Sequence, residues 1–211
     1  MKRLLSLLLV LATATHAVAV VAADAATLDV LDVPATRSAL ASRTLLNGLA
    51  RAGDRVIAVG QRGHVLYSDD AGATWQQAEV PVSSDLVAVS FPSAPTGWAV
   101  GHDGVILHTN DSGATWSRQL DGRRAGVLLL EAYPEVASAK DAERAAALHD
   151  QARHFAEQGA ENPFLDVWFA DEHEGYAVGA FGLILHTIEP VRQIADLLRC
   201  RSARIHRRQL Q

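Results

Sequence analysis

Three stretches of this chain repeat one another in register. Residues 60–75 read GQRGHVLYSDDAGATW, residues 101–116 read GHDGVILHTNDSGATW, and residues 179–187 read GAFGLILHT. The matching glycines Gly60 and Gly101 stand 41 positions apart. A fixed period of about 40 residues means that each unit is one supersecondary structure stacking on copies of itself. Upstream, DRVIAVG at 54–60, GWAVG at 97–101 and GYAVG at 175–179 lengthen the match, and LVAVSF at 86–91 aligns with LDVWFA at 165–170. Each unit therefore offers four short strands. In the second unit these are residues 86–91, 98–101 and 105–109, with the fourth beginning at Thr115 or Trp116.

Short strands separated by turn residues at this period suit the blade of a β-propeller. Helical repeats of similar length need segments of helical period, and these units have none. A β-sandwich is the alternative, although repetition at fixed period is unusual for it. The expected fold is all-β, a partial β-propeller of about three four-stranded blades with a helical insertion. Propellers have about four to eight blades, because radial closure protects the sheet edges. Three units leave the end blades without neighbours, so the chain must oligomerise, be completed by other segments, or be an unstable fragment.

Between the third and fourth strands lies a motif with its own chemistry. Ser68, Asp70, Gly72, Thr74 and Trp75 in the first unit, and Thr109, Asp111, Gly113, Thr115 and Trp116 in the second, both spell S/T-x-D-x-G-x-T-W, the Asp-box. The aspartate can accept hydrogen bonds from amides across the turn, the glycine supplies positive φ, and the tryptophan packs on the neighbouring sheet. This is turn chemistry. No catalytic residue is assigned, and Asp70 or Asp111 as a general acid or metal ligand is the weaker reading.

These residues resemble two families. Asp-boxes occur in BNR-repeat sialidases and related glycosidases. The run GWAVG-x-x-G-x-I-x-x-T-x-D-x-G-x-T-W is similar to the photosynthesis-system assembly factors called Ycf48 or HCF136 and their bacterial relatives, over residues of about 45 to 187. The second resemblance implies a seven-bladed propeller outside the cytoplasm that helps to assemble a membrane complex and is not an enzyme. It does not by itself imply photosynthesis. The sialidase alternative requires an arginine triad, a tyrosine nucleophile with a glutamate partner, an aspartic acid and an F/Y-R-I-P segment, and no such segment occurs here. Tyr67 and Tyr176 fall at strand positions held elsewhere by His108 or Trp98 and read as packing.

The chain departs from its repeat twice. Between the second and third units the spacing grows from 41 to 78 residues, and the added segment, at about 123–161, is rich in Ala, Glu, Arg and Gln. Residues 135–158 are expected to form one helix, with Leu148, Ala152, Phe155 and Ala156 on one face and an end at Gly159. After Thr187 the third Asp-box is missing, and residues 188–211 carry Arg192, Arg199, Arg201, Arg204, Arg207 and Arg208 against Glu189 and Asp196. Two readings of this basic tail stay open. It is an amphipathic segment making peripheral contact with anionic lipid or an acidic partner, or the product of a frameshift or truncation.

The first residues set the compartment. Lys2 and Arg3 precede an apolar run from Leu4 to Leu11, and small residues follow up to Ala25. Residues 1–25 are expected to be a cleaved signal peptide and residues 26–187 the propeller, in the periplasm or otherwise exported. Cys200 is the only cysteine, so no internal disulfide forms. His149 and His154 stand five apart and share no helical face. No metal site, cofactor or nucleic-acid partner is expected, and the formal net charge of −5 agrees with the last of these.

The function read from this is an exported, non-enzymatic scaffold or assembly factor whose ligand is another protein, as part of a membrane complex. A sialidase-like glycan-binding or glycoside-hydrolase propeller, or a truncated nonfunctional remnant, are the alternatives. Strand alternation places the turns between second and third strands on the end opposite the Asp-boxes, together with the insertion. Arg62, His102, Asp103 and Phe181 vary at those turns between otherwise matching repeats, and are the candidate partner-binding residues.

Overall fold

Alternating β-branched and small apolar residues, broken every five or so positions by Gly, Asp or Ser, leave the backbone little choice but short antiparallel strands. The computed structural model describes residues 28–135 and 142–187. The expected signal peptide and the basic tail lie outside the described residues.

The first sheet contains β1 (Leu46–Ala52), β2 (Arg55–Gly60), β3 (Val65–Ser68) and β4 (Gln76–Gln77), hydrogen-bonded in chain order. The second repeats this with β5 (Leu86–Ser90), β6 (Gly97–Gly101), β7 (Ile106–Thr109) and β8 (Ser117–Leu120). The third has β9 (Phe164–Phe169), β10 (Gly175–Gly179) and β11 (Ile184–Thr187) among the described residues. Every neighbouring pair is antiparallel. Three meandering sheets stacked face to face, with β1 against β5 and β5 against β9, are blades of a partial β-propeller.

The core lies between blades. Ile57, Val59, Val65, Leu86, Leu107 and Trp116 close the first interface. Trp98, Val100, Ile106, Phe164, Val167 and Phe169 close the second. The middle sheet buries one face against the first blade and the other against the third, so both faces of β6 are apolar and all five of its residues are buried.

The repeat alignment needs one correction. Gly101 pairs with Leu86, and the equivalent Gly179 pairs with Phe164 rather than Leu165. Segment 86–91 therefore corresponds to 164–169, one residue earlier than sequence identity suggests. Leu165 is the extra residue at a register shift and is half exposed, whereas Leu86 and Phe164 are fully buried. A slip of one residue turns a strand over, so burial rather than identity decides the match. In the corrected register Phe91 and Phe169 are equivalent, each with its ring against a glycine, Gly97 or Gly175.

The insertion holds two helices where one was expected. α1 (Gly122–Ala132) follows β8, and Asp121 caps it by accepting the Arg124 amide at 3.0 Å. α2 (Ala142–Glu157) lies inside the expected 135–158, and residues 133–135 are not helical. A Cβ at Gly126 would stand 2.8 Å from Ala156 Cα, so the missing side chain is what lets the helices touch. α2 buries Ala152 and Phe155, and Phe155 joins the core of the second interface. Among the described residues no helix is long and apolar enough to cross a membrane.

Candidate protein-binding face

The two ends of the stacked sheets differ in chemistry. At one end lie the Asp-boxes. Ser68 Oγ donates to Asp70 Oδ1 at 2.7 Å and accepts the Gly72 amide at 2.8 Å, while Asp70 accepts from the Thr74 amide at 2.8 Å and the Thr74 hydroxyl at 2.6 Å. The second box repeats this, with Thr115 donating twice to Asp111 at 2.9 and 2.6 Å. The hydroxyl and amide of Thr74, helped by Ser68, hold the Asp70 carboxyl down at about 2. Burial pushes the Asp111 carboxyl up, but the Thr115 and Thr109 hydrogen bonds outweigh it and the net shift is downward. Neither carboxyl keeps the proton at neutral pH that a glycosidase acid must donate.

The boxes also tie blades together. Arg55 on β2 forms two hydrogen bonds to Asp69 at 2.7 and 3.0 Å, donates to the Ser112 carbonyl in the second box, and lies 4.3 Å over the Tyr67 ring. Trp116 is buried, donating its indole N–H to the Gly113 carbonyl and meeting Phe91 edge-on. Trp75 is only half-buried.

The other end carries the turns between second and third strands, and all three have one geometry. His64, Val105 and Leu183 donate their amides to the carbonyls of Gln61, His102 and Ala180. The tip residue is left-handed each time, with φ of 56° at Arg62, 57° at Asp103 and 55° at Phe181, followed by a glycine of positive φ. These positions vary in sequence, yet the fold imposes on them a conformation unfavourable to L-residues. Their variation is thus not freedom from the fold's demands.

Their surroundings differ. The Arg62 amide donates to Asp85 Oδ1 at 2.7 Å, and its side chain is exposed. His102 is exposed and Asp103 half-buried, and a Cβ at the adjoining Gly104 would stand 2.6 Å from Gly122, so the start of α1 rests on this turn. Phe181 is 84% exposed. It borders a cavity of about 410 Å³ between the two helices and the third blade, with Leu129, Tyr133, Leu148, Phe155 and Leu183 among its walls. Of the four candidate residues, only Phe181 lines it. His154, Gln151 and Gln158 bring polar groups to the rim. Sequence reasoning passed over Leu129 and Tyr133 because α1 was not foreseen. The Asp121 cap before Val127-Leu128-Leu129-Leu130 was the available signal. Among the described residues no group of three or more His, Cys, Asp or Glu could hold a metal ion.

Residues 42–134 match the family model described as photosynthesis system II assembly factor YCF48. Over those residues the chain is similar to that family. Among solved structures it is similar to one titled "YCF48 bound to D1 peptide", at 17% identity and a TM-score of 0.46, covering 70% of this chain and 38% of that one. YCF48 from Cyanidioschyzon merolae has 21% identity and a TM-score of 0.45, covering 69% and 37%. An ancestral GH74 enzyme has 15% identity and a TM-score of 0.39, covering 67% and 18%. The chain thus spans well under half the length of either YCF48 structure. No curated protein sequence matches it.

Proposed function

We propose that this chain is an exported, non-enzymatic scaffold that binds a polypeptide of a membrane complex during its assembly. The observation that carries the reading is Phe181, 84% exposed at the mouth of an apolar cavity on the end opposite the Asp-boxes. An aromatic ring held at a left-handed turn tip on a sheet scaffold is pre-organised to anchor an apolar side chain of a partner. The match of residues 42–134 to an assembly-factor family supports the same reading, as does an Asp-box chemistry that is occupied within the turns. Export rests on the order of charged, apolar and small residues in 1–25.

The test is site-specific photo-crosslinking in membrane extracts of the source cells. A photoreactive residue at Phe181 is expected to give adducts with one membrane polypeptide, and one at Gln76 on the Asp-box end to give none. Adducts at Gln76 with none at Phe181 would overturn the choice of face, and adducts at neither would overturn the scaffold reading.

A further inference from the structure

The first strand of every blade carries one extra residue near its start. The first blade pairs Leu46 with Gly60 and next Gly48 with Val59, the second pairs Leu86 with Gly101 and next Ala88 with Val100, and the third pairs Phe164 with Gly179 and next Asp166 with Val178. Asn47, Val87 and Leu165 are thus the unpaired residues of three equivalent bulges. In the first blade alone the bulge is an Asn–Gly pair. No other asparagine of the chain precedes a glycine: Asn110 precedes Asp111, and Asn162 precedes Pro163.

The fold requires both members of the pair. Asn47 is exposed, and its Nδ2 donates to the Leu86 carbonyl of the second blade at 2.8 Å. A Cβ at Gly48 would stand 2.9 Å from Val59 Cγ2 and 3.0 Å from the Val87 carbonyl oxygen, so glycine is what lets β5 come this close. The same glycine leaves its amide nitrogen unshielded by a side chain, next to the Asn47 carboxamide. A bulge also interrupts the ladder, so Asn47 lacks the strand pairing that fixes its neighbours.

We propose that Asn47 is a site of deamidation. The Gly48 nitrogen attacks Asn47 Cγ and closes a five-membered succinimide as the Cγ–Nδ2 bond breaks, and Nδ2 leaves as ammonia with the proton from the Gly48 amide. Water then opens the ring, at Cγ to give aspartate or at the main-chain carbonyl to give isoaspartate. The net exchange takes up one water and releases one ammonia, with no change of oxidation state. Either product replaces the donor at the Leu86 carbonyl with a carboxylate, so an acceptor faces an acceptor between β1 and β5. Isoaspartate also adds a backbone atom to β1 just ahead of Gly48. The modification therefore loosens the first blade against the second.

The purified, folded chain is held at mildly alkaline pH below its melting temperature, and samples are digested with trypsin, which releases residues 44–51 (TLLNGLAR) whole. This peptide is expected to gain the mass difference between an amide and an acid and to split into two chromatographic species, aspartate and isoaspartate. Asn162 is expected to stay intact, because Pro163 has no amide N–H to attack with. A 44–51 peptide that remains unmodified over the time in which urea-unfolded protein converts fully overturns the site. Asn47→Asp is expected to melt about 2 to 4 °C below the parent. The aged, deamidated parent is melted alongside, so the loosening is read even where Asn47→Asp fails to fold. Deamidated protein with the parent's melting temperature overturns the loosening.

Discussion

Trp98 of β6 and Phe169 at the end of β9 lie face to face, with ring centroids 3.7 Å apart and planes within 6° of parallel. The pair spans the second blade interface, and the Trp98 indole N–H reaches Gln119 Oε1 at 3.0 Å. Both rings are buried, at 2% and 7% exposure, so their contact, with the Phe169 amide donating to Ser90 Oγ at 3.3 Å, couples two sheets that have separate backbone ladders.

Replacing Phe169 with alanine removes that stack and leaves a cavity facing Trp98. The expected loss is about 3 to 5 kcal/mol of unfolding free energy, read from urea denaturation. A loss below about 1 kcal/mol would mean that the third blade contributes little to the cooperative unit.

The Asp-boxes hold their turns through hydrogen bonds that span four residues. Asp111→Ala strips Thr115 of two acceptors beside the buried Trp116 and is expected to cost about 1 kcal/mol. Asp70→Ala is expected to lower the melting temperature less, since its box is more exposed. An Asp111→Ala protein with unchanged melting temperature and weakened partner crosslinking at Phe181 would show that the aspartate serves binding and not the turn.

Acid should unfold the protein through the same carboxylates. Asp70 binds its proton more weakly in the fold than in the unfolded chain, at about 2 against an ordinary 3.8. The unfolded chain therefore takes up more protons as pH falls, and stability declines with it. This contribution is complete above about pH 4 and is lost toward about pH 2. Asp69, Asp171 and Glu172 are shifted the same way, by hydrogen bonds from Arg55, from the Glu174 and His173 amides, and from the Ser93 and Thr96 hydroxyls respectively. Melting temperatures measured down the acid limb should fall less steeply for Asp70→Asn than for the parent.

Export predicts a mature N-terminus near Asp24 or Ala26. N-terminal sequencing of protein from the periplasmic fraction checks it. A membrane-retained product that begins at Met1 would contradict it.

Blade number, strand order and the positions of the turns could be read from the sequence alone, because each rests on contacts among residues close along the chain. Thr74 reaches Asp70 across four positions, and Leu183 reaches Ala180 across three. Local hydrogen bonds of this kind leave their mark as residue types at set spacing. The register of β9 depended instead on which neighbour is buried: Leu165 matches Leu86 in identity, but Phe164 fills the equivalent space. α1 escaped notice for a similar reason, since Gly126 weakens a helix in isolation and is needed only because Ala156 lies against it. Phe181 was legible as a turn residue. That it stands beside a cavity walled by Leu129 and Phe155 came from packing between segments far apart in the chain, which no local spacing encodes.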